Sequence, residues 1–165
     1  MKITEWKNIP STRFPINIRY VMRWISAPIK PFIFTQICRI NNEKFFCFFF
    51  KIINFLILRW KINVNYIDND KIYQITDDQN QIYVKRKTYI NLYSNGIKHR
   101  LDKLEKEYLL ENIQLNDNDL VVDVGACIGE VSMIFEKKYK CKIISFEPEE
   151  DEYNCMKKNV TSPNL

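Results

Sequence analysis

The sequence predicts an α/β protein in which a mostly helical N-terminal region and a small antiparallel β-hairpin or meander precede an incomplete open parallel sheet. Short segments of alternating apolar and polar residues, separated by Asp- and Asn-rich turns, lie between residues 64 and 87. An apolar run, "LVVDVG", leads into an amphipathic segment and then into a second apolar run, "CKIISFEP". Two of the chain's three glycines, Gly125 and Gly129, stand four residues apart directly behind the first of those runs.

A chain of 165 residues, 46% hydrophobic and 27% charged, is neither disordered nor collagen-like and suits one domain, or one small domain with an extension. The net charge of +5 conceals an asymmetry. Residues 1–64 hold eleven Lys/Arg against two acids, and residues 65–165 hold fourteen against eighteen. Split charge of this kind suggests two parts with different neighbours, the basic one facing a phosphate-rich surface. The five cysteines are odd in number, contain no CxxC pair and follow no secretory signal. That pattern argues against a metal site and a disulfide framework, and for a reducing, cytoplasmic setting. The single histidine, His99, lies in a charged segment with no nucleophile or ligand pattern around it and is expected at the surface.

The first region, residues 1–63, is basic, aromatic-rich and punctuated by Pro10, Pro15, Pro28 and Pro31, with a short helix expected in "INIRYVMRWISA". The apolar run from Phe45 to Leu58 is interrupted by Lys51 and Asn54. As a helix it would be about 21 Å long, short of the roughly 20 residues that cross a bilayer. It also starts too late and lacks the cleavage site of a signal peptide. The first expectation is a helix packed on its own domain. The second is peripheral contact of residues 1–64 with the inner face of a membrane, in which Arg13, Arg19, Arg23, Lys30, Arg39, Lys44, Lys51 and Arg59 meet anionic headgroups while Phe45 to Phe50 enter the acyl boundary. Basic and aromatic residues are interleaved, yet no nucleic-acid-binding module is present, and no nucleic-acid partner is expected.

The second region, residues 64–165, opens with two or three antiparallel strands in 64–87, where "DND" and "DDQN" supply the turns. A helix is expected over about 89–114, broken at Asn95-Gly96, with Leu101, Leu104, Tyr108 and Ile113 along one face. Residues 119–165 then read as strand, helix ("GEVSMIFEKKY"), strand and the start of another helix ("EEDEYNCMKKNV"). Short links between them imply a βαβ unit with its strands parallel. Both strands are nearly continuous apolar runs, as expected where helices cover both faces.

Open α/β sheets bind ligands at the carboxyl ends of their strands. Gly125 follows the first strand, where lack of a Cβ permits a tight turn and close approach of a ligand to the main chain. Gly129 opens the following helix, whose amides and positive end favour a carboxylate or phosphate. Glu147, in "FEP" at the end of the second strand, can accept hydrogen bonds from two ribose hydroxyls, and Pro148 fixes the turn that aims it. The loop Gly125-Ala126-Cys127-Ile128-Gly129 lacks the third glycine of a dinucleotide fingerprint, and Asp123 precedes it by two residues. An anion so placed disfavours a pyrophosphate and favours a ligand carrying positive charge, so S-adenosylmethionine fits better than NAD. The candidate cofactor-binding residues are therefore Asp123, Gly125, Ala126, Gly129, Glu147 and Pro148. The blander alternatives are a strand–turn–helix joint without a ligand, an exposed acid in the run "EPEEDE", and a capping role for Asp123.

The motif "VVDVGACIGEVS" followed by "ISFEPEEDEYNCMKKNV" closely resembles the S-adenosylmethionine-dependent methyltransferases of the FkbM family, and the resemblance reaches back to Tyr89. It implies a Rossmann-like class I methyltransferase fold acting on an oxygen of a sugar or natural-product acceptor. Asp123, Gly125 and Gly129 would line the methionine side of the cofactor, and Glu147 would hold the ribose. Cys127 stands where the family often has asparagine. Family members continue through further strands that carry the adenine contact and the acceptor site, so a truncated form holding the cofactor half is expected. No catalytic residue is assignable. Such a form would be a poor enzyme needing a complementing chain or self-association. The rival expectation is a non-catalytic truncated or split gene product.

Overall fold

The computed structural model describes residues 29–116, 118–139 and 141–160. The short helix expected in residues 16–27 lies outside them. Residues 29–38 are helical and form α1. Helix α2, Glu43–Ile53, begins where the Asn42 side chain accepts the Phe45 amide at 3.0 Å, with Glu43 in its first turn and Lys51 in its last, both favourable to the helix dipole. It ends in a π-helical turn, Asn54–Leu58, closed by a 2.7 Å bond from the Arg59 amide to the Asn54 carbonyl.

Three antiparallel strands follow in the order β1-β2-β3: β1 Asn63–Ile67, β2 Ile72–Thr76 and β3 Gln81–Val84. Val64 opposes Ile75, which opposes Ile82, so alternation sends all three into the core. Helix α2 lays Phe46 and Phe50 on this meander, with Phe46 edge-on to Tyr73 at 5.6 Å between ring centres. Glu43, on the same helix, receives the Tyr73 hydroxyl and pairs with Lys87 at 2.6 Å. One hydrophobic core runs from Phe34 through the meander to Val160. The boundary at 63/64 is thus a change of composition, and packing continues across it.

The helix expected over 89–114 is three pieces: a 3-10 helix Lys87–Tyr93, α3 Ile97–Glu107 and a 3-10 turn Leu110–Asn112. The break at Asn95-Gly96 is where the sequence places it. Asp77, from the turn between β2 and β3, receives the Ile97 amide at 2.8 Å and so caps α3 from a distance. Burial alone would raise the Asp77 carboxyl, but the amides of Gln79, Ile97 and Asn80 outweigh it and hold it below its ordinary value. The far end departs from expectation. Leu109 turns left-handed (φ 54°), so Tyr108 and Ile113 lie exposed and Leu110 enters the core instead.

The remaining elements are β4 Leu120–Val124, α4 Glu130–Ile134, a π-helical turn Phe135–Tyr139, β5 Lys142–Phe146 and α5 Glu150–Asn159. Strands β4 and β5 pair in parallel, with Val124 opposite Phe146. The expected cover on both faces is corrected by the structure: Val121, Asp123, Ile143 and Ser145 point into the protein, whereas Leu120, Val122, Val124, Ile144 and Phe146 are exposed. On the first face the Ser132 hydroxyl of α4 meets Asp123 and Ser145, whereas the side chains of the second face stay exposed. Asn159, 7% exposed, ties α5 to the rest. Its Oδ1 accepts the Tyr83 amide at 2.7 Å, and its Nδ2 donates to the carbonyls of Tyr83 and Ile128, each at 2.9 Å. No helix among the described residues is long and apolar enough to cross a membrane.

Candidate functional site

The β4–β5 register sets the candidate residues side by side. Gly125 and Glu147 each follow directly on the paired Val124 and Phe146, at the carboxyl edge of the parallel strands. Gly125 has φ +76°, and a Cβ built there would meet nothing within 4 Å, so its main chain borders open space. The Gly125 and Ala126 amides both donate to the Phe146 carbonyl, at 2.9 and 3.0 Å, which locks the loop to β5. Glu147 joins the same lock. Its Oε2 accepts the Cys127 amide at 2.7 Å and its Oε1 the Glu149 amide at 2.8 Å. Each carboxylate oxygen keeps a lone pair for a further donor.

Cys127 sits at φ +52°, a left-handed angle that asparagine tolerates better than cysteine. Its thiol is raised above its ordinary value by burial and by Glu152, and all five cysteines are free thiols. Gly129 serves packing: at φ +83° it faces Met156 and Val160 so closely that a Cβ would lie 2.8 Å from each. The amides just ahead of its helix are engaged within the loop. Helix α4 has five residues, the Gly129 amide is taken by the Ala126 carbonyl at 2.8 Å, and the Cys127 amide is taken by Glu147.

A surface pocket of about 370 Å³ is lined by Asp123, Gly125 and Ala126 from the candidate set, together with Cys127, Arg100 and Glu130. Its volume lies near the lower end of small-molecule sites. Asp123 is half-buried, and its Oδ2 accepts the Ser132 hydroxyl at 2.6 Å, which contacts the Ser145 hydroxyl at 2.8 Å. Glu147 and Pro148 stand at the neighbouring strand end, outside that lining. The site therefore has two parts, joined by the bond from Cys127 to Glu147.

Four neighbouring residues, Tyr93, Arg100, Glu130 and Glu152, had no signal in the sequence. Glu130 accepts the Tyr93 hydroxyl at 2.7 Å and two guanidinium bonds from Arg100, at 2.9 and 3.1 Å, fixing one wall of the pocket. Each belongs to a different element, so no spacing reveals the group. Glu152, in the acidic run after Pro148, is 2% exposed. Its Oε1 lies 3.1 Å from Arg86 Nε, yet neither carboxylate oxygen has a hydrogen-bond partner among the described residues. Burial raises the Glu152 carboxyl, Arg86 opposes the rise, and Glu149, Glu147 and Asp151 add to it. A carboxyl raised in the folded state favours folding where it is protonated, and that contribution is lost as pH climbs from its unfolded value of about 4.3 through its folded one. Glu152→Gln is accordingly expected to raise the urea midpoint at neutral pH, with the gain fading towards about pH 4. An equal gain at both pH values would show that the ionised carboxylate is not the cause.

Compared with protein-family models, with curated proteins and with solved structures, the chain matches none of them.

Proposed function

We propose that the β4–α4–β5 unit binds S-adenosylmethionine and that the protein acts as a cytoplasmic methyltransferase of Rossmann-like, class I type, with an oxygen of a sugar or natural product as acceptor. One observation carries this reading: the parallel register sets a glycine bordering open space and a carboxylate with lone pairs remaining at adjacent strand ends. The FkbM-like motif names the ligand that such an arrangement would take. When bound, S-adenosylmethionine supplies a methyl group on a sulfonium. Glu147 would receive the ribose hydroxyls, Gly125 would let the ligand pass close to the main chain, and Asp123 would balance its positive charge. The Arg100–Glu130 pair keeps the pocket wall in place, leaving orientation and exclusion of water as the protein's contribution.

A second reading, a non-catalytic protein that retains the joint without the ligand, is favoured by the loop amides being taken internally. Calorimetry on the full chain separates the two. S-adenosylmethionine or its demethylated product should bind and NAD should not. Glu147→Ala should weaken binding by about 1–3 kcal/mol, the scale of a hydrogen bond to a charged group. Unchanged affinity in that variant would remove Glu147 from the site, and no binding by the native chain would favour the second reading.

A further inference from the structure

Successive residues of an α-helix turn by about 100°, so Phe45, Phe48, Phe49 and Ile52 share an arc of roughly 100° on α2, opposite the buried Phe46 and Phe50. All four are exposed, and the π-helical turn continues the patch with Phe55 (80% exposed), Leu56 and Ile57. The fold holds these side chains outward. Asn54 accepts the Trp60 amide at 2.7 Å and donates to the carbonyls of Ile62 and Trp60, at 3.0 and 3.3 Å, which pins both ends of the turn. Phe48 and Phe49 also pack edge-on against each other at 5.7 Å between ring centres. A contiguous apolar surface on this scale marks an interaction site.

Charge decides the kind of partner. Lys51 flanks the arc on α2. Beyond the turn, a pocket of about 410 Å³ is lined by Lys30, Arg59 and Lys61 together with Trp60 and Ser94, and no carboxylate lines it. Residues 1–64 as a whole carry eleven Lys/Arg against two acids. The arc itself presents no hydrogen-bonding side chain, unlike the polar rim of a protein interface. We propose that α2 and the turn after it form a docking surface for an anionic phospholipid bilayer. The aromatic side chains enter the interface, and Lys51 with the Lys30–Arg59–Lys61 pocket meets headgroup phosphates. The helix lies in the plane of the bilayer, the geometry suited to a short amphipathic segment with cations beside its apolar face.

Flotation of the full chain with phosphatidylcholine vesicles, with and without phosphatidylglycerol, tests this. Binding should rise with the anionic fraction and fall with salt. Lys51→Ala and Lys61→Ala should each weaken binding to anionic vesicles about fivefold, and Phe55→Ser with Leu56→Ser about tenfold or more. All four side chains are exposed, so unchanged circular dichroism is expected of each variant. Phe55→Trp adds an independent readout, since its emission should shift to the blue and be quenched by brominated lipid. Equal partitioning to neutral and anionic vesicles, or unquenched tryptophan, overturns the proposal. So does a patch substitution that dissociates a dimer of a protein that does not float, because the occupant would then be a second copy of the chain.

Discussion

Gly129→Ala is expected to destabilise the protein by about 2–5 kcal/mol, combining a left-handed conformation at about 1–2 kcal/mol with overpacking at about 1–3 kcal/mol. Gly129 holds φ +83°, and the new methyl group would lie 2.8 Å from both Met156 Cγ and Val160 Cγ2. Neither neighbour can withdraw easily. Met156 is fully buried in α5, and Val160 is 4% exposed and branched at Cβ. The same α5 is bound to the loop through Asn159 and the Ile128 carbonyl, so relief by shifting the helix would strain that contact as well. Urea unfolding should show a lower midpoint with an unchanged slope. A loss under about 0.5 kcal/mol would mean that α5 moves aside freely, and that Gly129 is a turn residue only.

Glu130→Ala is expected to remove about 3 kcal/mol. Arg100 and Glu130 side chains are each 15% exposed, and their pair is completed by the Tyr93 hydroxyl. Breaking a buried pair from one side costs about 3–5 kcal/mol, and the partial exposure of this one puts it at the lower end of that range. Tyr93 is fully buried, and burial with the Glu130 carboxylate beside it raises its hydroxyl above its ordinary value, so it remains a donor. Without Glu130, both that donor and a guanidinium would lose their acceptor. Adding Arg100→Met to Glu130→Ala should recover part of the loss, because the stranded charge is removed with its partner. Failure of the second substitution to recover anything would show that the Arg100 charge was already satisfied by water.

The local parts of this architecture were legible because local chemistry builds them. Alternation over residues 64–87 becomes a meander, since each strand has one face to bury. Asn95-Gly96 ends one helical segment and starts another, and "LVVDVG" and "CKIISFEP" become paired parallel strands. Less legible were the ends that depend on packing. Nothing in "EKEYLLENI" announces that Leu109 turns left-handed so that Leu110 reaches the core, or that "GEVSMIFEKKY" makes one α-helical turn and then widens into a π-helical one.

The sequence by itself determined which residues stand at the carboxyl edge of the parallel strands, because the spacing from Asp123 through Gly125 to Glu147 follows from strand, turn and helix lengths. It also determined the charge asymmetry and the apolar content of α2. Tertiary structure alone decided what those residues do. Gly129 became a packing contact because Met156 and Val160 arrive from a helix about thirty residues away. Glu147 became the lock of the loop because β5 pairs beside β4 and brings the Cys127 amide within 2.7 Å. The Phe-rich run, apolar nearly throughout, was divided into a buried and a bare side only by where β2 and Trp60 meet it. The reason is physical: turn and strand preferences act over a few residues, whereas burial, ion pairing and hydrogen-bond satisfaction depend on partners that only the folded chain brings together.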